Sequence, residues 1–193
     1  MIKTGFFVEI CCIFAIGCSF GWILEVIFRR FFSGNNKSRR WINPGYLRGP
    51  WLPVYGFGLC TLYLLVGLEQ YLPFSGVLRR LLLILVMTVS VTAVELIAGI
   101  ISVDILKADL WDYSGEWGNF RGLICPRFAL FWSLICTGYL LFVHRYIVLF
   151  LNWISSHAPF SVFIGMYLGL LVADVLGMNF RSHHEKSHEV PQS

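Results

Sequence analysis

The chain has 193 residues, of which 57% are hydrophobic and 13% charged, with a formal net charge of +4 and a mean hydropathy of +0.70. A soluble domain carries about 25% charged residues, so composition excludes a soluble globular fold, and the length suits one domain. No GxxxxGK[ST] phosphate loop occurs and no polar stretch is long enough for a soluble catalytic domain, so no cofactor is expected and ATP would enter only through a separate partner subunit.

Five apolar segments follow one another, each near the ~20 residues that cross about 30 Å of hydrocarbon. They run from about Phe6 to Phe28, Trp51 to Leu68, Leu81 to Ile105, Leu123 to Val143, and Phe160 to Met178. The expected fold is all-α: a polytopic integral membrane bundle of about five transmembrane helices, one domain over 1–180, with a disordered tail over 181–193. The first run ends in Phe28-Arg29-Arg30 without an Ala-x-Ala cleavage site and reads as a retained helix. Pro50, Pro53, Gly56 and Gly58 crowd the start of the second, which predicts a broken or re-entrant first turn. After the fourth, HRYIVLFLNWISSH either extends the helix or lies along the interface.

Basic residues are unevenly shared between the two sides. The first loop, the third loop and the tail hold eleven, the other side four. The positive-inside rule then puts the N-terminus outside and the C-terminus in the cytoplasm of a multi-pass plasma-membrane protein. The first loop, with Arg29, Arg30, Lys37, Arg39, Arg40 and Arg48 and no acid, reads as an anchor to anionic lipid head groups rather than a nucleic-acid patch. His183, His184 and His188 read as part of a solvated tail, and no spacing of Cys or His indicates a metal site. The six cysteines read as small buried hydrophobes.

Small residues mark packing faces. Gly165, Gly169, Ala173 and Gly177 recur every fourth residue on the fifth helix, and Gly17, Gly21 and Glu25 do so on the first. Such stripes let backbones approach closely, and the first one points Glu25 into the bundle. Asp174, one step round from the fifth-helix stripe, reads as reaching the interface. Glu95 lies on a strip with Thr88, Thr92, Gly99 and Ser102. An acid so deep costs about 2.5 to 3.5 kcal/mol, so Glu95 must be protonated, paired or facing water. Two loop motifs lie on the same side as Glu25: NPGYLRGPWLPVYGFG, with Arg48 and Tyr55, and WDYSGEWGNFRGLICP, with Trp111, Asp112, Tyr113, Ser114 and Asn119. The candidate polar site is therefore Glu25, Arg48, Tyr55, Glu95, Trp111, Asp112, Tyr113, Ser114 and Asn119. No Ser-His-Asp or Cys-His set is present, and catalytic residues stay unassigned.

The order GWILE, NPGYLRGPWLPVYGFG, a glutamate in the third helix and WDYSGEWGNFRGLICP resembles the small bacterial membrane proteins called ABC-transporter type IV, or CmpB-like permeases. The resemblance covers roughly Gly21 to Trp132, with WDYS…N…G…IC its most specific string. Positions matching the pattern are Glu25, Gly49, Pro50, Pro53, Tyr55, Gly56, Glu95, Trp111, Asp112, Tyr113, Ser114, Asn119 and Gly122. The chain departs from it at Asn43-Pro44-Gly45, often Arg-Gly in the family, and at Pro126, where the family has leucine. The resemblance implies transport, an ATPase partner and self-association, since five helices are few for a solute pathway. An intramembrane enzyme or binder of a lipid-like substrate, and a structural assembly subunit, are the alternatives.

Overall fold

The computed structural model describes residues 4–32, 36–107, 109–157 and 159–188, without the side chains of 4, 155 and 178–188. Among them every regular element is helical, and a single isolated β-bridge joins Phe120 to Ile124. Five helices follow in order: α1 (Thr4–Phe31), α2 (Pro53–Gly67), α3 (Gly76–Ile105), α4 (Pro126–Ile154) and α5 (Pro159–His188). All but α2 are long and apolar enough to cross a membrane. The 15 residues of α2 reach about 22 Å at 1.5 Å per residue, short of the hydrocarbon thickness.

Proline sets two helix starts. Pro53 opens α2 after an extended Leu52, and Pro126 opens α4 after an extended Cys125. The residue before proline is pushed out of the α region, and proline itself is tolerated where no N–H is needed. Thus α4 begins at Pro126 rather than Leu123; Leu123 lies buried in the preceding loop. The segment HRYIVLFLNWISSH extends α4 rather than lying apart from it, joined through a π turn over Tyr139–Val143. A second π turn, Ile101–Ile105, closes α3.

Two levels of contact fix how the helices alternate. At one level Tyr55 of α2 meets Glu25 of α1 and Trp132 of α4, and Trp132 meets Glu95 of α3. At the other, Tyr63 of α2 meets Glu9 of α1 and His144 of α4. Glu9 precedes Glu25 whereas Tyr55 precedes Tyr63, so α1 and α2 run in opposite directions; Trp132 precedes His144, so α4 runs with α2. The buried face of α3 recurs every fourth residue, Leu83, Met87, Val91, Glu95 and Gly99, the spacing of one helical stripe. Between the two levels sits a dry core of Cys12, Ile13, Leu62, Leu83, Met87, Val91 and Cys136.

The α1–α2 contact depends on absent side chains. A Cβ on Gly17 would stand 2.7 Å from the Tyr55 carbonyl oxygen, and one on Gly21 2.2 Å from Tyr55 Cβ. Gly17 and Gly21 leave room for this close approach of α2. The α5 stripe behaves differently. A Cβ on Gly165, Gly169 or Gly177 would meet no atom within 4 Å, and these residues with Ala173 face outward. Only 6% of the apolar window of α5 is buried, against 33% for α1, so α5 packs lightly on the bundle: Leu171 is buried, Phe160 and Ile164 touch the core, and Tyr167 meets the Trp51 ring edge to face at 5.5 Å. Its polar contacts are Ser19 Oγ, 2.8 Å from Tyr167 Oη, and those of Asp174. Of the stretch read as a tail, 181–188 continues α5 and 189–193 lies outside the described residues.

Candidate functional site

Two carboxylates from different helices converge at the polar level. Glu25 sits two turns from the end of α1. Arg29, one turn on, donates from Nε to its Oε1 at 2.9 Å, and Tyr55 donates from its hydroxyl to Oε2 at 2.9 Å. The Arg29 guanidinium also donates to the Leu110 carbonyl at 3.0 Å, tying α1 to the loop after α3. Sequence spacing alone suggests the Glu25–Arg29 pair; Tyr55 joins it because Gly21 leaves room for its ring against α1.

Glu95 is only 6% exposed. Tyr113 donates its hydroxyl to Oε1 at 3.1 Å and Trp132 donates Nε1–H to Oε2 at 2.8 Å. Both donors are neutral, so the carboxylate is hydrogen-bonded but its charge has no cation on it. Tyr55 and Trp132 lie ring to ring at 6.2 Å between the two acids, and Tyr113 stacks on Phe128 at 4.2 Å. Burial, with the Glu95 charge behind it, pushes the Tyr113 phenol well above its ordinary value, so it remains a proton donor. Two carboxylates and one arginine thus lie beside aromatic rings, Glu95 buried and Glu25 and Arg29 partly exposed.

The loop between α3 and α4 explains how Tyr113 gets there. Asp112 accepts from the Ser114 N–H at 2.8 Å and from the Ser114 hydroxyl at 3.0 Å, a tight local turn. These bonds hold the Asp112 carboxyl below its usual range, the backbone one most strongly. Asn119 donates to the Ser114 and Glu116 carbonyls and accepts from the Gly122 N–H at 3.0 Å. Gly122 has φ +69° and a Cβ there would sit 3.0 Å from Asp112 Oδ1, so glycine is required twice over. Trp111 donates Nε1–H to the Leu123 carbonyl at 2.9 Å. Asp112, Ser114, Asn119 and Trp111 therefore build the loop that aims Tyr113 at Glu95.

Arg48 lies elsewhere. Its side chain is exposed, and no ion pair joins it to either glutamate among the described residues. Its backbone N–H donates to Asp174 Oδ2 at 2.8 Å, an oxygen that also takes the Gly49 N–H and Trp51 Nε1–H at 3.0 Å each. Asp174 is thus the clamp between α5 and the segment leading into α2, not a group reaching for the interface. The nine candidate residues divide into four at the carboxylate cluster (Glu25, Tyr55, Glu95, Tyr113), four in the supporting loop, and Arg48 outside both.

Sequence reading left out Trp132 from the cluster. A signal was present: a tryptophan inside an apolar span must place its N–H somewhere, and Glu95 is the acceptor in the adjoining span. At the opposite level a second polar set occupies the same inner faces. Tyr63 is hydrogen-bonded to Glu9, and Tyr139 Oη lies 3.0 Å from His144 Nδ1. No group of three or more His, Cys, Asp or Glu side chains suited to a metal ion occurs among the described residues.

No curated protein and no solved structure shows significant similarity to the chain. A family model, by contrast, matches residues 12–178, which take in α2, α3 and α4 whole, most of α1 and α5, and every residue of both polar levels except Glu9. With its membrane-length helices and this match, the chain is a multi-pass membrane protein that belongs to the family described as Putative ABC-transporter type IV.

Proposed function

We propose that the chain is the membrane subunit, or permease, of an ABC-type transporter, working with a separate ATPase and crossing the plasma membrane with its N-terminus outside. One observation carries this reading: the inner faces of the same helices bear polar groups at two levels separated by a dry core. Tyr55 and Tyr63, one at each level, are eight residues apart on α2, about 12 Å. An apolar plug between two polar levels is the arrangement of a closed pathway, and ionisable groups facing the interior of a bundle are the usual markers of one.

In this reading Glu95 and Glu25 work as a pair. Arg29 balances one charge, leaving a net negative charge among aromatic rings, a place suited to a proton or a cation. Parting of α2 and α4 would open the Tyr55–Trp132 contact and bring the pair into water. A lipid-binding enzyme reading would use Asp112 or Glu95 as acid or base with Arg48 on the head group; Asp112 is tied to Ser114, and Arg48 has no ion pair to either glutamate among the described residues.

The test is co-purification of the tagged protein from native membranes in mild detergent, with mass spectrometry of what accompanies it. A nucleotide-binding ATPase in comparable amount is the expected result. Its consistent absence, with an amphiphile retained instead, would overturn the permease assignment. Reporter insertions after Lys37 and after Gln70 should fall on opposite sides, the first cytoplasmic.

A further inference from the structure

An apolar groove of ≈ 560 Å³ runs along the outside of α1, lined by Trp22, Ile23, Val26, Ile27, Trp41 and Ile42. Its outer wall is the extended stretch after α1, held by Asn43, whose Oδ1 accepts from Trp22 Nε1 at 2.8 Å. Trp41 stands at one end, 63% exposed, and the Arg30 guanidinium lies over its ring at 4.1 Å. Arg30 and Arg39 are locked together: each guanidinium donates to the other's carbonyl, at 2.8 and 2.9 Å. Both arginines thus spend donors on backbone oxygens, which carry no full negative charge, and Arg30 Nε is buried with no hydrogen-bond partner. Asn36 fixes the turn that brings Arg40 alongside, donating to its carbonyl and accepting from its N–H.

The charges here are unbalanced. Between Arg29 and Pro50 the chain has no acid, and the ion pairs among the described residues involve only Arg29, Arg121 and Arg127. Arg30, Lys37, Arg39 and Arg40 therefore form a cationic cap without a carboxylate, which meets the apolar groove where Arg30 lies over the Trp41 ring. A free anion would satisfy the cap but leave the groove; a neutral lipid would fill the groove but leave the cap. A molecule with an acyl chain and a phosphate head satisfies both.

We propose that this groove is a binding site for one anionic phospholipid, its acyl chain against Trp22, Val26 and Ile27 and its phosphate on the Arg30–Arg39–Arg40 cap. The site stands apart from the carboxylate cluster and does not depend on the permease reading. Its occupant would brace the segment that leads into α2 and so into Tyr55.

Native mass spectrometry of the full chain, equilibrated with equal phosphatidylglycerol and phosphatidylcholine, tests this. The expected result is selective retention of phosphatidylglycerol. Lys37→Gln with Arg40→Gln, whose side chains hold no hydrogen bond or ion pair among the described residues, should lower retention by roughly fivefold for each cation removed. Val26→Phe, which fills the groove from its lipid-facing side, should abolish the preference with the charges intact. Equal retention of the two lipids would overturn the proposal, as would full retention in Val26→Phe. So would protection against thermal unfolding by inorganic phosphate equal to that by phosphatidylglycerol, since that would leave the groove without a role.

Discussion

Removing the charge at Glu95 should be milder than removing a donor to it. Trp132→Phe keeps a ring in place but deletes the 2.8 Å bond to Oε2, leaving a buried carboxylate with one neutral donor. Losing a hydrogen bond to a charged group costs about 1.5–3 kcal/mol, and little of it is recovered, because the charge stays buried. Glu95→Gln loses charge assistance at both oxygens. Its amide oxygen can still take the Trp132 N–H, and its NH2 can donate to the Tyr113 hydroxyl, which can accept. Against that loss stands relief of a charge that costs about 2.5–3.5 kcal/mol in a membrane helix, so the net change should stay within about 1 kcal/mol. Glu95→Leu should likewise be mild, since exchanging a buried charge for a well-packed apolar group is often neutral. Unfolding of the three variants in mild detergent, followed by fluorescence as SDS is added, gives the comparison. Glu95→Gln as destabilising as Trp132→Phe would refute the reasoning and make Glu95 a structural tie. A stable Glu95→Gln that assembles but has lost the transport phenotype would mark it as a working residue.

Three further outcomes follow from single contacts. Gly21→Ala should destabilise by about 1–3 kcal/mol through overpacking against Tyr55; Tyr55→Gly in the same chain, which removes the contacted Cβ as well as the ring, should relieve the clash, and an unchanged single-variant melting curve would contradict the α1–α2 geometry. Asp174→Ala should cost about 1–3 kcal/mol and expose the segment before α2 to protease, since one oxygen serves three donors and α5 has little other hold. The Asp112 carboxyl is held below its unfolded value of about 3.9. Its contribution is therefore present above that pH and lost as pH falls through the lower folded value. Hydrogen exchange at Ser114 and Tyr113 should accelerate in that acid window, and Asp112→Asn should flatten the response.

Several features were legible because they depend only on local chemistry. Hydrocarbon-length runs are properties of single segments, and four of the five reappear as membrane-length helices. The Glu25–Arg29 pair is likewise one helical turn within one helix. The loop motif WDYSGEWGNFRGLICP was recognisable as unusual, but its polar residues looked equally suited to a site. Geometry divides them: Asp112, Ser114 and Asn119 satisfy groups of their own loop, whereas Tyr113 reaches Glu95.

What the amino-acid order determined by itself is therefore the class, the number of helices and the expense of the acid at Glu95. Tertiary structure alone decided who answers that acid. Tyr113 is 18 residues away and Trp132 37, separations no helical or strand period connects. It also decided that Asp174 clamps the approach to α2 from 123 to 126 residues away, while the α5 glycines stay uncovered. The physical reason is that periodicity reports which face of a helix is apolar, whereas a buried charge is satisfied by whichever donors the packing of other helices delivers.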